Sequence, residues 1–176
     1  MNILMLTGSP HKNGTSNTLA REFIRGAREA GHQVEVYDCA HGNLHPCYGC
    51  DRCGMNGDCV QKDDGNEVLK KLLAADAVVF VTPVYYFGMS AQLKTMVDRL
   101  YARNGDITRK RMKAALIATA WNDDDTVMKG IKTHFDIIFD YLAFQNRGML
   151  LARGAGTVGM MPKRYLDEAY ALGTNI

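Results

Sequence analysis

The sequence predicts a doubly wound α/β fold: a single domain over residues 1–176 built on a five-stranded parallel sheet, order 2-1-3-4-5, with helices on both faces. Three observations carry this expectation. Apolar runs of strand length alternate with apolar stripes of helical period, five times over. The strand segments are continuous rather than alternating in their apolar character, as strands covered on both faces are. No internal repeat, low-complexity tract or linker marks a second domain.

The elements follow in order. Residues 2–7 form the first strand, and Leu19, Ala20, Phe23, Ile24, Ala27 and Ala30 then recur at spacings of three and four, one apolar stripe on a helix over 17–30. Gly31 stands where a helix C-cap glycine belongs. Residues 33–38 read as strand two, and a cysteine-rich loop over 39–62 is inserted after it. Val68, Leu69, Leu72 and Leu73 mark a second helix. Residues 77–81, Ala-Val-Val-Phe-Val, suit a central buried strand. A third helix over 90–103, a fourth strand over 112–120, a fourth helix over 125–142, a fifth strand over 148–152 and a last helix over 163–172 complete the series.

Composition narrows the function classes. The chain is 47% apolar and 23% charged, which fits a folded globular protein. No apolar run approaches the roughly 20 residues of a membrane span. The start carries no basic leader and no small-residue cleavage site, so a cytoplasmic location and no membrane partner are expected. A net charge of +2 and a pI of 8.3 are too mild for a nucleic-acid binder.

Doubly wound sheets bind ligands beyond the carboxyl ends of their strands, where the strand order reverses. Three loops stand at that edge: 8–17, 83–89 and 120–124. The first is rich in Gly, Ser, Thr and Asn and opens a helix, so its backbone N–H groups, its hydroxyls and the helix dipole all suit a phosphate. It is not a P-loop, because five residues separate Gly8 from Gly14 and Thr15 follows. It lacks the Gly-x-Gly-x-x-Gly of a dinucleotide site, and it has no cysteine nucleophile. What remains is a mononucleotide phosphate held by Ser9, His11, Lys12, Gly14, Ser16, Asn17 and Thr18, or else an ordinary polar loop with Asn17 or Ser16 as N-cap. In the second loop, Pro83, Val84, Tyr85, Tyr86, Phe87 and Gly88 offer flat apolar walls and one point of close backbone approach. They suit a planar ring system; the alternative is packing of a crossover or a subunit interface. In the third, Ala120 and Trp121 form either another wall or a partner contact, and Asp123 to Asp125 cap the fourth helix.

Cys47, Cys50, Cys53 and Cys59 give C-x2-C-x2-C-x5-C. Three cysteines at two-residue gaps let a short loop wrap a [4Fe–4S] cubane, and the fourth completes the set. Unligated thiols, zinc or a disulfide are the alternatives, with His41 and His45 as substitute ligands. Cys39 stands outside the pattern and reads as a core thiol.

Four stretches together resemble the NADPH-dependent FMN reductase and iron–sulfur flavoprotein branch of the flavodoxin-like superfamily: Gly8 to Gly14, the 47–59 cysteine segment with Gln61-Lys62-Asp63-Asp64, Thr82 to Gly88, and Ala91-Gln92-Leu93-Lys94 followed by Asp98-Arg99. The resemblance spans residues 1–103. It implies a flavodoxin-like fold, FMN with its phosphate on the 8–18 loop and its ring at 83–88 and 120–121, NAD(P)H as reductant, and assembly as a homodimer or homotetramer. His11 departs from the family, which usually carries Arg there, so phosphate binding would lean on Lys12 and backbone donors. Two functions follow from the resemblance. One is an NAD(P)H-dependent FMN oxidoreductase passing electrons to a quinone, a flavin or a similar small molecule. The other is an iron–sulfur flavoprotein relaying electrons to a ferredoxin-like redox protein. The slightly basic charge favours the first, since carrier flavodoxins are acidic.

Overall fold

The computed structural model describes residues 1–176 and forms the expected doubly wound sheet. Its strands are β1 (Asn2–Thr7), β2 (Gln33–Asp38), β3 (Ala77–Tyr85), β4 (Gly88–Met89), β5 (Lys113–Thr119) and β6 (Gln145–Ala152). Its helices are α1 (Thr15–Glu29), α2 (Gly65–Ala74), α3 (Ala91–Arg99), α4 (Asn104–Lys110), α5 (Lys129–Tyr141) and α6 (Arg164–Asn175). The five parallel strands run β2-β1-β3-β5-β6, the predicted order, and the two-residue β4 adds an antiparallel hairpin to the end of β3.

The period of two along each strand sorts the core into two layers. Ile3, Met5, Val79, Val81, Ala115 and Ile117 face α1 and α6. Leu4, Leu6, Val78, Phe80, Leu116 and Ala118 face α2, α3, α4 and α5. Phe80 is fully buried there, its ring 5.3 Å from that of Phe135. Gly31 ends α1 as expected: with φ +82° it places its own N–H on Arg28 O at 2.9 Å and that of His32 on Ala27 O at 2.9 Å, a Schellman pair.

Several elements differ from the sequence expectation. The third strand runs on to Tyr85, so the expected 83–89 loop is the end of β3, a two-residue turn and β4, and the last helix continues to Asn175. The third helix ends at Arg99, tightens into a 3-10 turn over Leu100–Arg103 and restarts as α4. The fourth helix opens with a 3-10 turn over Asp125–Met128, capped by Asp124, whose carboxylate accepts from Thr126 N–H at 2.7 Å. The fifth strand begins three residues early, because exposed Gln145, Asn146 and Arg147 extend the sheet's edge in β6, where Gln145 and Asn146 pair with Lys113 and Ala114.

Helices α1 and α6 touch backbone to backbone. A Cβ on Gly26 would lie 2.1 Å from Tyr170 O, and one on Gly173 would lie 2.1 Å from Phe23 O. Only glycine allows this approach at both positions.

Candidate functional site

The loops after β1, β5 and β6, with the last residues of β3, enclose a cleft of about 680 Å³, within the range of small-molecule sites. Ser9, His11, Lys12, Asn13, Gly14, Thr15 and Ser16 form one wall. Pro83, Val84 and Tyr85 form a second, and Thr119, Trp121, Gly156, Thr157 and Val158 a third.

The first wall is the start of α1. Gly14 is its N-cap and supplies no side chain to the helix's orphan donors. Thr18 is the first residue whose N–H reaches a helical partner, Gly14 O at 3.0 Å, so the amides of Thr15, Ser16 and Asn17 are left without one. No acid occupies the first turn. Uncapped amides, a buried Ser9 hydroxyl and the cations of Lys12 and nearby Arg21 make this a site for an anion the size of a phosphate. The set fits the phosphate of FMN.

Buried polar contacts fix the loops against one another. Ser16 and Thr119 share a hydrogen bond of 2.6 Å, tying the first turn of α1 to the end of β5. Ser90, fully buried, donates to Gly8 O at 2.7 Å, receives Leu93 N–H at 3.3 Å as N-cap of α3, and gives its own N–H to Thr82 Oγ1 at 2.9 Å. It therefore joins the phosphate loop to the end of β3. Trp121, two-thirds exposed, rests on Gly156.

The remaining expected residues lie beside this cleft rather than on its lining. Asn17 donates its side-chain amide to His11 O at 3.0 Å, bracing the loop. Thr18 points its hydroxyl at Gly14 O, also 3.0 Å away. Tyr86 and Phe87 form the two-residue turn between β3 and β4, both with positive φ (47° and 65°) and both exposed, and Phe87 packs on Gly130 at the start of α5. Ala120 is buried beneath Trp121, its N–H on Ala152 O at 2.9 Å. The loop at 154–158 escapes the sequence reading, although Gly154-Ala155-Gly156-Thr157 after the last strand carries the same Gly and Thr signal as the first loop.

The cysteine segment forms a separate cavity of about 480 Å³ whose lining includes Cys47, Cys50, Cys53 and Cys59, with Tyr48, Gln61, Asp98 and Tyr101. All four thiols are free. No three of the chain's Cys, His, Asp and Glu side chains converge on one metal ion. The four cysteines line one cavity, Cys47 and Cys50 exposed and Cys53 and Cys59 half-buried. His41 is engaged with Asp38 at 2.8 Å, and neither it nor His45 lines the cavity. Cys39 is buried in the core, and burial next to Asp38 pushes its thiol up to about 12.

Asp63 and Arg99 clamp the neck of this loop. Asp63 Oδ2 lies 2.6 Å from Arg99 Nη1 and Oδ1 lies 3.0 Å from Nη2, with both side chains buried. Asp63 also accepts the N–H groups of His45 and Gly65 at 2.9 and 3.0 Å. Burial alone would raise this carboxyl, but the bonds from Arg99 and the two amides hold it down to about 2.

A doubly wound sheet in the flavodoxin-like order, with an anion cradle at the first helix and an open cleft at the switch point, defines the chain as a flavodoxin-like nucleotide-binding protein. The chain belongs to the NADPH-dependent FMN reductase family, whose pattern matches residues 1–150. An iron–sulfur flavoprotein of Methanocaldococcus jannaschii is 39% identical over 99 residues, 56% of this chain and 51% of that one. Another, from Archaeoglobus fulgidus, is 34% identical over 121 residues, 68% of this chain and 59% of that one. The chain thus spans about half the length of the iron–sulfur flavoproteins it matches. Among solved structures, an NAD(P)H:quinone oxidoreductase from Methanothermobacter marburgensis superimposes with a TM-score of 0.79 at 21% identity, covering 99% of this chain and 96% of that one. No helix is long and apolar enough to cross a membrane.

Proposed function

We propose that this chain is an NAD(P)H-oxidising flavoprotein that holds FMN in the 680 Å³ cleft and a [4Fe–4S] cluster in the cysteine cavity, and that relays electrons to a one-electron redox protein. The observation that carries the reading is the pairing of two distinct sites in one domain. One is an uncapped helix start facing a flat-walled cleft; the other is a set of four free cysteines around one cavity. The relatives named iron–sulfur flavoproteins support the second half.

The residues divide the work. The amides of Thr15, Ser16 and Asn17, with Ser9 and Lys12, bind the phosphate and orient the nucleotide. Pro83, Val84 and Tyr85 on one side and Trp121 on the other wall the ring and exclude water from its faces. The exposed Tyr86 and Phe87 leave the rim open to a nicotinamide or a planar acceptor. FMN, when bound, accepts two electrons as hydride and releases them singly or in pairs. Cys47, Cys50, Cys53 and Cys59 would supply the four thiolates of the cluster, and exposed Cys47 and Cys50 place it within reach of a docking protein.

Anaerobic purification followed by flavin, iron and sulfide assay tests the reading. It expects one FMN and about four irons per chain. Cys50→Ser should lose the iron, keep the FMN, and still oxidise NAD(P)H with a small quinone while failing to reduce a ferredoxin-type acceptor. Anaerobic protein that contains FMN and no iron would leave a flavin-only oxidoreductase that passes electrons to small molecules.

A further inference from the structure

Two buried side-chain atoms in the protein lack a hydrogen-bond partner, Gln61 Oε1 and Arg99 Nε. Both border the cysteine loop. Gln61 lines the cavity and closes its neck by donating to Pro46 O at 2.9 Å. Arg99, on α3, is 1% exposed and lies behind the cavity's lining, to which its chain neighbours Asp98 and Tyr101 belong. On the far edge of its guanidinium, Nη1 serves Asp63 and His45 O, the latter at 3.0 Å, and Nη2 serves Asp63. Nε is the one buried side-chain donor atom that makes no hydrogen bond at all. Native proteins keep very few such groups, and one on a charged side chain is among the costliest to leave unmade. After Asp63, the groups whose charge bears on Arg99 are Cys59 and Cys47.

We infer that Arg99 is a positioning residue for the cysteine cavity: its Nε–H serves an anionic sulfur of the group held there, while its other edge, through Asp63 and His45, pins both ends of the loop. The inference rests on the iron–sulfur reading above. A donor and a cation beside the sulfurs make an added electron easier to accommodate, so Arg99 raises the reduction potential of the cluster. The flavin cleft shares no lining residue with the cavity, so its potential is independent of Arg99.

Two variants separate this role from simple bracing. Arg99→Gln with Asp63→Asn removes both charges, so that no unpaired carboxylate is left buried. Arg99→Lys keeps the cation and loses Nε–H and the fork. Each is purified anaerobically, FMN content serves as the fold control, and cluster and flavin midpoint potentials are read in one redox titration. The double variant should keep FMN and hold a cluster about tenfold harder to reduce, about 59 mV lower for one electron. The flavin potential should not move. Arg99→Lys should fall between parent and double variant, and it decides the question alone if the double variant loses FMN. A cluster potential equal to the parent's, or an equal shift of flavin and cluster, overturns the inference. A parent protein without iron overturns the iron–sulfur reading, and the inference falls with it.

Discussion

Trp121 rests on Gly156 so closely that a Cβ on residue 156 would stand 2.4 Å from the indole atoms Cδ2 and Cε3. The wall after β5 is thus set by a residue beyond β6. Gly156→Ala is expected to displace the indole and weaken FMN binding about tenfold, ~1.4 kcal/mol. Global stability should change by less than about 0.5 kcal/mol, since the indole it pushes is largely exposed and free to move outward. Titration by flavin fluorescence reads the affinity; an unchanged value would remove Trp121 from the wall.

The phosphate contacts give a graded expectation. Ser9 is buried beside the uncapped amides with its hydroxyl in long contacts to the His11 backbone at 3.3 and 3.4 Å, whereas Thr18 donates its hydroxyl to Gly14 O at 3.0 Å. Ser9→Ala should weaken FMN by about 1–3 kcal/mol and leave riboflavin unaffected. Thr18→Ala should cost FMN binding less. Calorimetry with both ligands distinguishes them, and equal losses for FMN and riboflavin would mean that the loop itself had been damaged.

The hairpin turn at Tyr86-Phe87 holds two bulky residues in left-handed backbone, where an asparagine followed by a glycine is the favoured pair. The double substitution Tyr86→Asn with Phe87→Gly is predicted to stabilise the fold by about 1–2 kcal/mol in urea denaturation. The same change should slow NAD(P)H oxidation with a planar acceptor by removing the rim aromatics. A variant that gains stability and keeps full turnover would show that the aromatics do not serve the acceptor.

Asp63 makes the loop clamp pH-dependent. Its carboxyl is held at about 2 against an ordinary 3.8, so its stabilising effect is complete above pH 4 and is lost as pH falls towards 2. Asp63→Asn, which leaves Arg99 buried without its partner, should destabilise by about 3–5 kcal/mol at pH 7. The gap between variant and parent should stay level from about pH 5 to 8 and narrow below about pH 4 in chemical denaturation. A gap that widened as pH fell would reverse the assignment.

Exposed aromatics around the rim predict self-association. Tyr86 is 100% exposed and Trp121 66%, with Tyr85, Phe87 and Val158 beside them, a costly surface to leave in water. Light scattering is expected to return at least twice the 19.5 kDa of one chain at micromolar concentration. A monomer mass would mean that the rim stays open for ligands alone.

The parallel strands were legible because strands buried on both faces write continuous apolar runs, and Ala77 to Val81 reads as nothing else. The loop between β1 and α1 and its place on the cleft were legible from its Gly and hydroxyl content before a helix. The break after Arg99 was not: Leu93, Met96 and Leu100 keep helical spacing across it, while Arg99 is drawn to Asp63, 36 positions away, a contact no local period reports. The start of β6 was hidden because an edge strand with exposed Gln145, Asn146 and Arg147 needs no apolar residues to pair its backbone. The turn at Tyr86-Phe87 carries the wrong residues for its conformation, so turn chemistry could not reveal it.

The glycine contact between α1 and α6 gives the two helices a stiffness that neither has alone. At these two points no side chain separates the backbones, so a displacement of α6 presses directly on α1. Phe23, where Gly173 presses, lies eight residues from Thr15, about 12 Å along the axis of α1. A methyl group added at Gly173 would thus be felt as a tilt of the free amides at the start of α1. The tail of the fold sets the aim of its first helix.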